Sequence, residues 1–176
     1  MITYQLSVFL HIMSAIIWVG GMFFLALVVV PVARHLPPAD RAALFGAVGR
    51  RFRTVGWVCI ALLIVTGIIN MTYRGVTLDN VFTAELWGSP FGSVLAVKLL
   101  VVAALLALSV VHDFVLGPRS VRVLEGVGQG TPEQQQAAAK QAERLRQLAS
   151  MMGRVEGILA LLVIVLAVML VRGRPF

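Results

Sequence analysis

The sequence predicts an all-α integral membrane protein, in which four transmembrane helices form one bundle. Of the 176 residues, 59% are hydrophobic and only 13% are charged, whereas about 25% charged residues are usual in soluble domains. Four apolar segments are long enough to cross a hydrocarbon core of roughly 30 Å, which takes about 20 helical residues. Their continuous apolar runs lack period-2 alternation, which excludes a membrane β-barrel.

The four predicted spans follow from where these apolar runs begin and end. We place them at residues 4–30, 54–73, 93–116 and 154–172. Pro31 ends the first span and Gly117–Pro118 ends the third, because proline interrupts the hydrogen bonds of a helix interior. One bundle accounts for the whole length, so we expect a single domain over residues 1–176.

Two polar segments are predicted to be helical without crossing the membrane. The first is an interfacial helix that runs into the second span, because its apolar residues share one face; they are Leu44, Phe45, Val48 and Phe52. The second lies in the cytosolic segment 117–153, where Thr131, Pro132 and Gln134 form a helix-start pattern. A flexible polar linker is the alternative there, and the glycine-rich stretch 126–130 reads as a hinge.

The distribution of basic residues predicts the orientation of the bundle. Eleven Lys and Arg residues lie in the connections 31–53 and 117–154, and three lie on the other side. The positive-inside rule then puts both termini outside the cytoplasm of a bacterial-type inner membrane, with Arg172 and Arg174 as the dissenting charges. The net charge of +7 therefore reflects topology, and we expect no nucleic-acid partner.

Two ionisable residues inside the predicted spans mark the candidate site. His11 is the one acidic or basic side chain between Met1 and Ala33, and Lys98 lies in the apolar run 92–111. A charged group in hydrocarbon costs roughly 2.5–3.5 kcal/mol on insertion scales, so such residues usually face the bundle interior and serve a ligand or partner. A rise of about 1.5 Å per residue places both at a similar depth in the outer half.

Helical spacing groups the other polar residues around this pair. Ser14 and Trp18 share the face of His11, and Thr66 and Asn70 share a face of the second span. We expect Thr66 and Asn70 to hydrogen-bond the imidazole and fix its orientation. A polar cluster near the cytoplasmic end lies some 20 Å further in by the same rise per residue, and its members are His112, Asp113, Arg154 and Glu156.

These depths limit the ligands that the site can take. His11 and His112 lie too far apart to ligate one haem iron, so a haem would have His11 on one side and a Met, a Lys or nothing on the other. A Cu(I) site is the alternative, since thioethers suit this soft ion; the soft-ligand candidates are Met13, Met22, Met71 and Met169. The lone Cys59 excludes a thiolate-cluster site.

Structural readings of the same residues stay open. His11 would then hydrogen-bond across a helix interface, and Lys98 would extend to the outer headgroups. His112 and Asp113 would form an ion pair with Arg154 or Arg119. The methionines would be core packing.

The chain resembles the copper-resistance D (CopD) membrane family at three motifs. They are the stretch from His11 through Trp18 to Gly20-Gly21, the sequence Leu63-Ile-Val-Thr66-Gly67, and Trp87-Gly88-Ser-Pro-Phe91-Gly92 leading to Lys98. The resemblance covers residues 4–116 well and the last span weakly. It implies an inner-membrane protein that takes up or delivers copper.

A wider resemblance is to HemJ-type protoporphyrinogen oxidases. The shared features are the His-x6-Trp-x-Gly pattern of the first span, a lysine opening a later span, and a basic-Pro-Phe ending at residues 174–176. This resemblance implies that His11 binds haem b. The chain departs from that family at His35, which is followed by Leu36-Pro37-Pro38 instead of a His-Ala-Glu-type sequence, and this counts against porphyrinogen oxidation.

Three hypotheses follow for the function. The first is copper handling, with His11 as ligand and Lys98 as a charge partner or a gate that repels cations. The second is a haem b-binding membrane oxidoreductase, so whether the chain is an enzyme stays open. The third is a structural subunit without cofactor. The expected partners are membrane lipid, an extracytoplasmic copper donor and a second copy of the chain, because four spans form only a narrow bundle.

Overall fold

The computed structural model describes residues 2–125 and 130–172, and these are helical with short connections. The helices are α1 (Ile2–Phe24), α2 (Val30–Ala33), α3 (Pro38–Thr72), α4 (Ala84–Gly88), α5 (Pro90–Val111), α6 (Gly117–Glu125) and α7 (Pro132–Arg172). π-helical turns at Leu25–Val29 and His112–Leu116 join α1 to α2 and α5 to α6. The all-α prediction is confirmed, and four of these stretches are long and apolar enough to cross a membrane.

The surfaces of the long helices carry apolar side chains, as lipid-facing helices do. Ile16 is 58% exposed, Leu100 71% and Ile158 65%. The predicted hinge at 126–130 lies, apart from Gly130, outside the described residues.

The sequence predicts that the first helix ends at Pro31, but the helix continues to Ala33. A π-helical turn at Leu25–Val29 precedes the proline, and the Val30 N–H donates to the Leu25 carbonyl five residues back. Pro31 then falls in the first turn of α2, where a missing N–H leaves no hydrogen bond unmade. The wider turn thus lets the chain stay helical through the proline.

The helix of the third span passes Pro118 in the same way, so the helix stop predicted at Gly117–Pro118 is also wrong. The π-helical turn His112–Leu116 ends with the Gly117 N–H donating to the His112 carbonyl. Pro118 is then the second residue of α6, which continues to Glu125. In both places the proline follows the π-helical turn by two residues.

Both predicted flanking helices are present, and each is continuous with a span. The stretch predicted to be interfacial is the first part of α3. Before α7, the Thr131 N–H donates to Gln134 Oε1 at 2.9 Å, and the Gln134 N–H donates to Thr131 Oγ1 at 3.4 Å. This reciprocal cap satisfies two N–H groups at the helix start. It confirms the helix-start pattern and rules out the flexible linker over the described part of this segment.

The chain divides into two compact units, and each of the four long helical stretches contributes residues to both. The single domain predicted from the length therefore stays a prediction. The first unit comprises the described parts of residues 1–19, 56–106 and 158–176. Here α1 runs antiparallel to α3, with the Tyr4 and Tyr73 ring centroids 5.1 Å apart. At its other end the Trp18 indole lies so close to Gly56 that a Cβ there would be 3.3 Å from Cδ1.

The second unit comprises residues 20–55 and the described parts of 107–157. A Cβ at Gly21 would overlap the Phe52 ring, and a Cβ at Gly157 would contact the Phe23 ring at 3.7 Å. Small residues therefore allow close approach of the helices in this unit too, as is common in membrane bundles.

Glycine at position 92 is required by a backbone contact at the start of α5. A Cβ at Gly92 would overlap the Leu86 carbonyl, whereas a Cβ at Gly88 would meet nothing within 4 Å. We therefore expect Gly92→Ala to lower the free energy of unfolding by about 3 kcal/mol and Gly88→Ala to change it little. Thermal unfolding of both variants in the same detergent measures this, and equal melting temperatures would contradict it.

Candidate functional site

The His11 imidazole is held by α3 in one tautomer. His11 Nδ1 lies 2.8 Å from Thr66 Oγ1, and the Thr66 hydroxyl donates its proton to the Leu62 carbonyl. A hydroxyl has a single proton to donate, so with that proton on Leu62 the Thr66 oxygen accepts from His11. In this arrangement Nδ1 carries the ring proton and Nε2 carries the lone pair that can bind a metal. The Leu63 carbonyl is a second acceptor for the ring.

The packing around the ring supports this orientation. A Cβ at Gly67 would lie 3.5 Å from His11 Cε1, so the glycine leaves room for the imidazole against α3. The Ser7 hydroxyl donates to the Thr66 carbonyl at 3.3 Å. Thr66 is only 3% exposed, and Ser14 and Trp18 on the same face of α1 are also buried. The hydrogen bond predicted between Thr66 and the imidazole is present.

Two cations lie in the same unit as this imidazole. Lys98 interacts electrostatically with His11, and Arg74 with Lys98. Arg74 also donates to the Leu170 carbonyl at 2.9 Å, near the end of α7, where the helix dipole favours a positive charge. Among residues 2–125 and 130–172, no carboxylate forms an ion pair with either cation.

Arg74 is absent from the site predicted by the sequence, where it counts only as a loop charge. It lies two residues after the end of α3, in the turn that follows the helix, so no helical spacing marks it in the sequence. Asn70 itself differs from its predicted role. Its Oδ1 atom is buried without a hydrogen-bond partner, so it is an acceptor that a bound ligand could use.

The predicted soft ligands are divided between the two units. Met13 is 37% exposed and follows His11 by two residues, which puts it on a different side of α1. Met22 belongs to the second unit, and Met71 and Met169 to the first. Within the described residues, no group of three or more His, Cys, Asp or Glu side chains could hold a metal ion. A metal bound by His11 would therefore not have a ligand set of three or more such side chains.

The predicted polar cluster forms in the second unit, with one change of membership. His112 Nδ1 lies 3.7 Å from both Asp113 Oδ1 and Glu156 Oε2. Arg154 is exposed, and the basic residue that interacts with His112 is Arg53.

From the sequence, Arg53 was expected only as a charge in the connection 31–53. Its spacing of three residues from Gly56 and seven from Ile60, both buried, could have placed it on the inner face of α3.

Comparison with known families identifies the class of protein. The family described as "CopD: Copper resistance protein D" matches residues 46–170, which is more than half of the chain. The chain therefore belongs to the copper resistance protein D family and is a multi-pass membrane protein. The match includes Thr66, Lys98 and the last span. It begins after His11, so the assignment of His11 rests on its geometry and on the resemblance of the first span.

One relative is an "Uncharacterized protein" of Aquifex aeolicus (strain VF5), 45% identical over 67 residues. The matched stretch covers 38% of this chain and 46% of that protein, so the chain spans about half the length of the relative it matches. No solved structure matches the chain.

The hydrogen bond between His11 and Thr66 can be tested by comparing Thr66→Val with Thr66→Ser. The valine removes the acceptor of the Nδ1 proton, so we expect a loss of about 1–3 kcal/mol in the free energy of unfolding and a mixture of ring tautomers. The serine keeps the hydroxyl and should resemble the wild type. Nitrogen-15 NMR of the histidine rings reads the tautomer directly, and an unchanged His11 spectrum in Thr66→Val would contradict the assignment.

Proposed function

We propose that the chain handles copper, by uptake or delivery, with His11 as the intramembrane ligand. The observation that carries the proposal is the bond from Nδ1 to Thr66, which leaves Nε2 with its lone pair. Ligating histidines commonly bind the metal through one ring nitrogen while the other donates to a fixed acceptor. Membership of the copper resistance protein D family supports copper as the cargo.

The charges around His11 favour passage of copper over storage. Lys98 raises the energy of a cation at the imidazole, and within the described residues no group of three or more His, Cys, Asp or Glu side chains could hold a metal ion. An ion in transit must bind strongly enough to enter and weakly enough to leave. One imidazole beside a positive gate meets both requirements, because the imidazole attracts Cu(I) and Lys98 limits its residence.

The direction of approach follows from the charge distribution in the connections. We place both termini outside the cytoplasm of a bacterial-type inner membrane, by the positive-inside rule. His11 and Lys98 then lie in the outer half, within reach of an extracytoplasmic copper donor. A continuous path would use a second copy of the chain, because four spans enclose little space.

A haem b-binding oxidoreductase is the second candidate, and the paired cations favour it. Lys98 and Arg74 have no carboxylate partner among the described residues, so they could pair with the propionates of a haem. His11 Nε2 could serve as an axial ligand, and Asn70 Oδ1 could accept a hydrogen bond from a bound group. The haem would supply one-electron chemistry, and these residues would bind and orient it.

Replacing His11 tests the ligand assignment. We expect copper to bind the full-length protein in mild detergent at about one ion per chain, and His11→Ala to lower the affinity at least about 100-fold. His35→Ala is the matched control, because His35 lies exposed in the connection after α2. Metal analysis and titration with Cu(I) measure both variants. Full copper stoichiometry in His11→Ala would rule out this site.

The visible spectrum of the same sample separates copper from haem. A Soret band that sharpens and shifts on dithionite reduction, and that disappears in His11→Ala, would establish the haem alternative. Bound copper without such a band would support the first proposal. Folded protein with neither ligand would favour a structural subunit.

Replacing Lys98 tests the gate. We expect Lys98→Leu to tighten Cu(I) binding about tenfold, because removal of a nearby unit charge changes the energy by about 1–2 kcal/mol at an effective dielectric of about 20. Leucine is preferred to methionine, whose thioether could itself bind Cu(I). In the haem alternative the same variant would weaken binding. No change in either ligand would mean that Lys98 extends to the headgroups instead.

A further inference from the structure

The second unit contains a buried carboxyl group that copper handling at His11 does not use. Glu156 is 4% exposed, and its Oε1 atom has no hydrogen-bond partner. The Ser109 hydroxyl donates to the carboxylate. An acidic side chain in a transmembrane segment is expensive to bury and is retained where it does something.

The surroundings of this carboxyl come from three helical elements, two of which supply charged or titratable groups. From the π-helical turn, His112 Nδ1 lies 3.7 Å from Glu156 Oε2 and 3.7 Å from Asp113 Oδ1, and Asp113 also interacts with Glu156. From α3, Arg53 interacts with His112, and its guanidinium lies 5.3 Å from the Phe114 ring centroid. The contribution of α1 is apolar, with Phe23 close to Gly157.

The buried Glu156 carboxylate has no charged partner at ion-pair distance when His112 is neutral. Among the described residues, His112 is the basic side chain at that distance, with Nδ1 3.7 Å from Oε2. A buried charge without such a partner costs several kcal/mol. One added proton removes this cost, because it either neutralises Glu156 or charges His112.

We propose that Glu156 and His112 together form a proton-binding site that exchanges one proton with water. A hydronium ion transfers its proton to a Glu156 carboxylate oxygen or to His112 Nδ1, a new O–H or N–H bond forms, and a water molecule leaves; release is the reverse. The 3.7 Å separation of Oε2 and Nδ1 is just longer than a hydrogen bond, so a small movement lets the pair share the proton. This site involves neither His11 nor Lys98.

The position of His112 suits this exchange. It is the first residue of the π-helical turn, and its carbonyl accepts from the Gly117 N–H. π-helical turns occur frequently at functional sites, because they shift side chains out of the regular helical register. The imidazole is about one-third exposed, whereas the Glu156 side chain is almost fully buried, so His112 offers the route by which a proton reaches the carboxyl.

The test uses the full chain in lipid nanodiscs and follows two signals over a pH titration. Infrared spectroscopy detects the C=O stretch of a protonated carboxyl, and nitrogen-15 NMR detects a charged imidazole. At neutral pH we expect one of the two signals from the pair, with loss of that signal at alkaline pH. Absence of both across the titration, or a signal that never responds to pH, would overturn the proposal.

Variants assign the proton within the cluster. In His112→Gln the proton must reside on Glu156, so the carboxyl band should be present at neutral pH. In Glu156→Gln it should be absent and His112 neutral. Asp113→Asn removes a negative charge that interacts with Glu156, so the proton should be lost at a lower pH than in the wild type while the protein stays folded. A carboxyl band that persists in Glu156→Gln, or an unchanged pH dependence in Asp113→Asn, would contradict the assignment.

Glu143→Gln is the matched control for the infrared band. Glu143 precedes the predicted fourth span and is exposed, and hydrogen bonds from Arg146 and Gln147 lower its pKa to about 2. Its carboxyl is therefore ionised throughout the titration range, and its replacement should leave the spectrum unchanged. Copper binding measured in the same samples keeps this test separate from that of the His11 site.

Discussion

The hydrogen bond from His11 to Thr66 is the interaction on which the candidate site depends. In a helical membrane bundle no bulk water is present to satisfy a stray N–H group, so the Nδ1 proton must find an acceptor inside the protein. Thr66 is available because its own proton is donated to the Leu62 carbonyl. The absence of a side chain at Gly67 gives the ring its space. Two neighbouring residues of α3 thereby determine which nitrogen faces a ligand.

The long helices were predictable from the sequence because hydrophobic length is a strong signal. Helical spacing also predicted the contact between Thr66 and His11, because residues three or four apart lie on the same face of a helix. Pro31 and Pro118 misled the prediction, because a π-helical turn is a change of hydrogen-bond register that leaves no mark in composition. Arg53 and Arg74 were overlooked because both were counted only as loop charges. Arg53 lies within α3, and Arg74, in the turn after α3, donates to the Leu170 carbonyl of α7.

The family match and the site geometry bear on different parts of the chain. The match extends over α3, α5 and α7, which supply Thr66, Lys98 and Glu156. The first helix supplies the imidazole itself. The family match therefore covers three of the long helices, and the proposed copper ligand lies on the fourth. The hydrogen bond between His11 and Thr66 connects this ligand to the matched part of the chain.

The two π-helical turns have a consequence for how related sequences compare with this one. A π-helical turn holds one residue more than an α-helical turn of the same length, so it can be regarded as a single-residue insertion absorbed without a loop. Each added residue rotates the following helix by about 100° relative to the preceding one. A relative without the proline could have one residue fewer at either turn and keep both flanking helices. Its sequence would then match this one on both sides of the turn only if a gap of one residue is placed there.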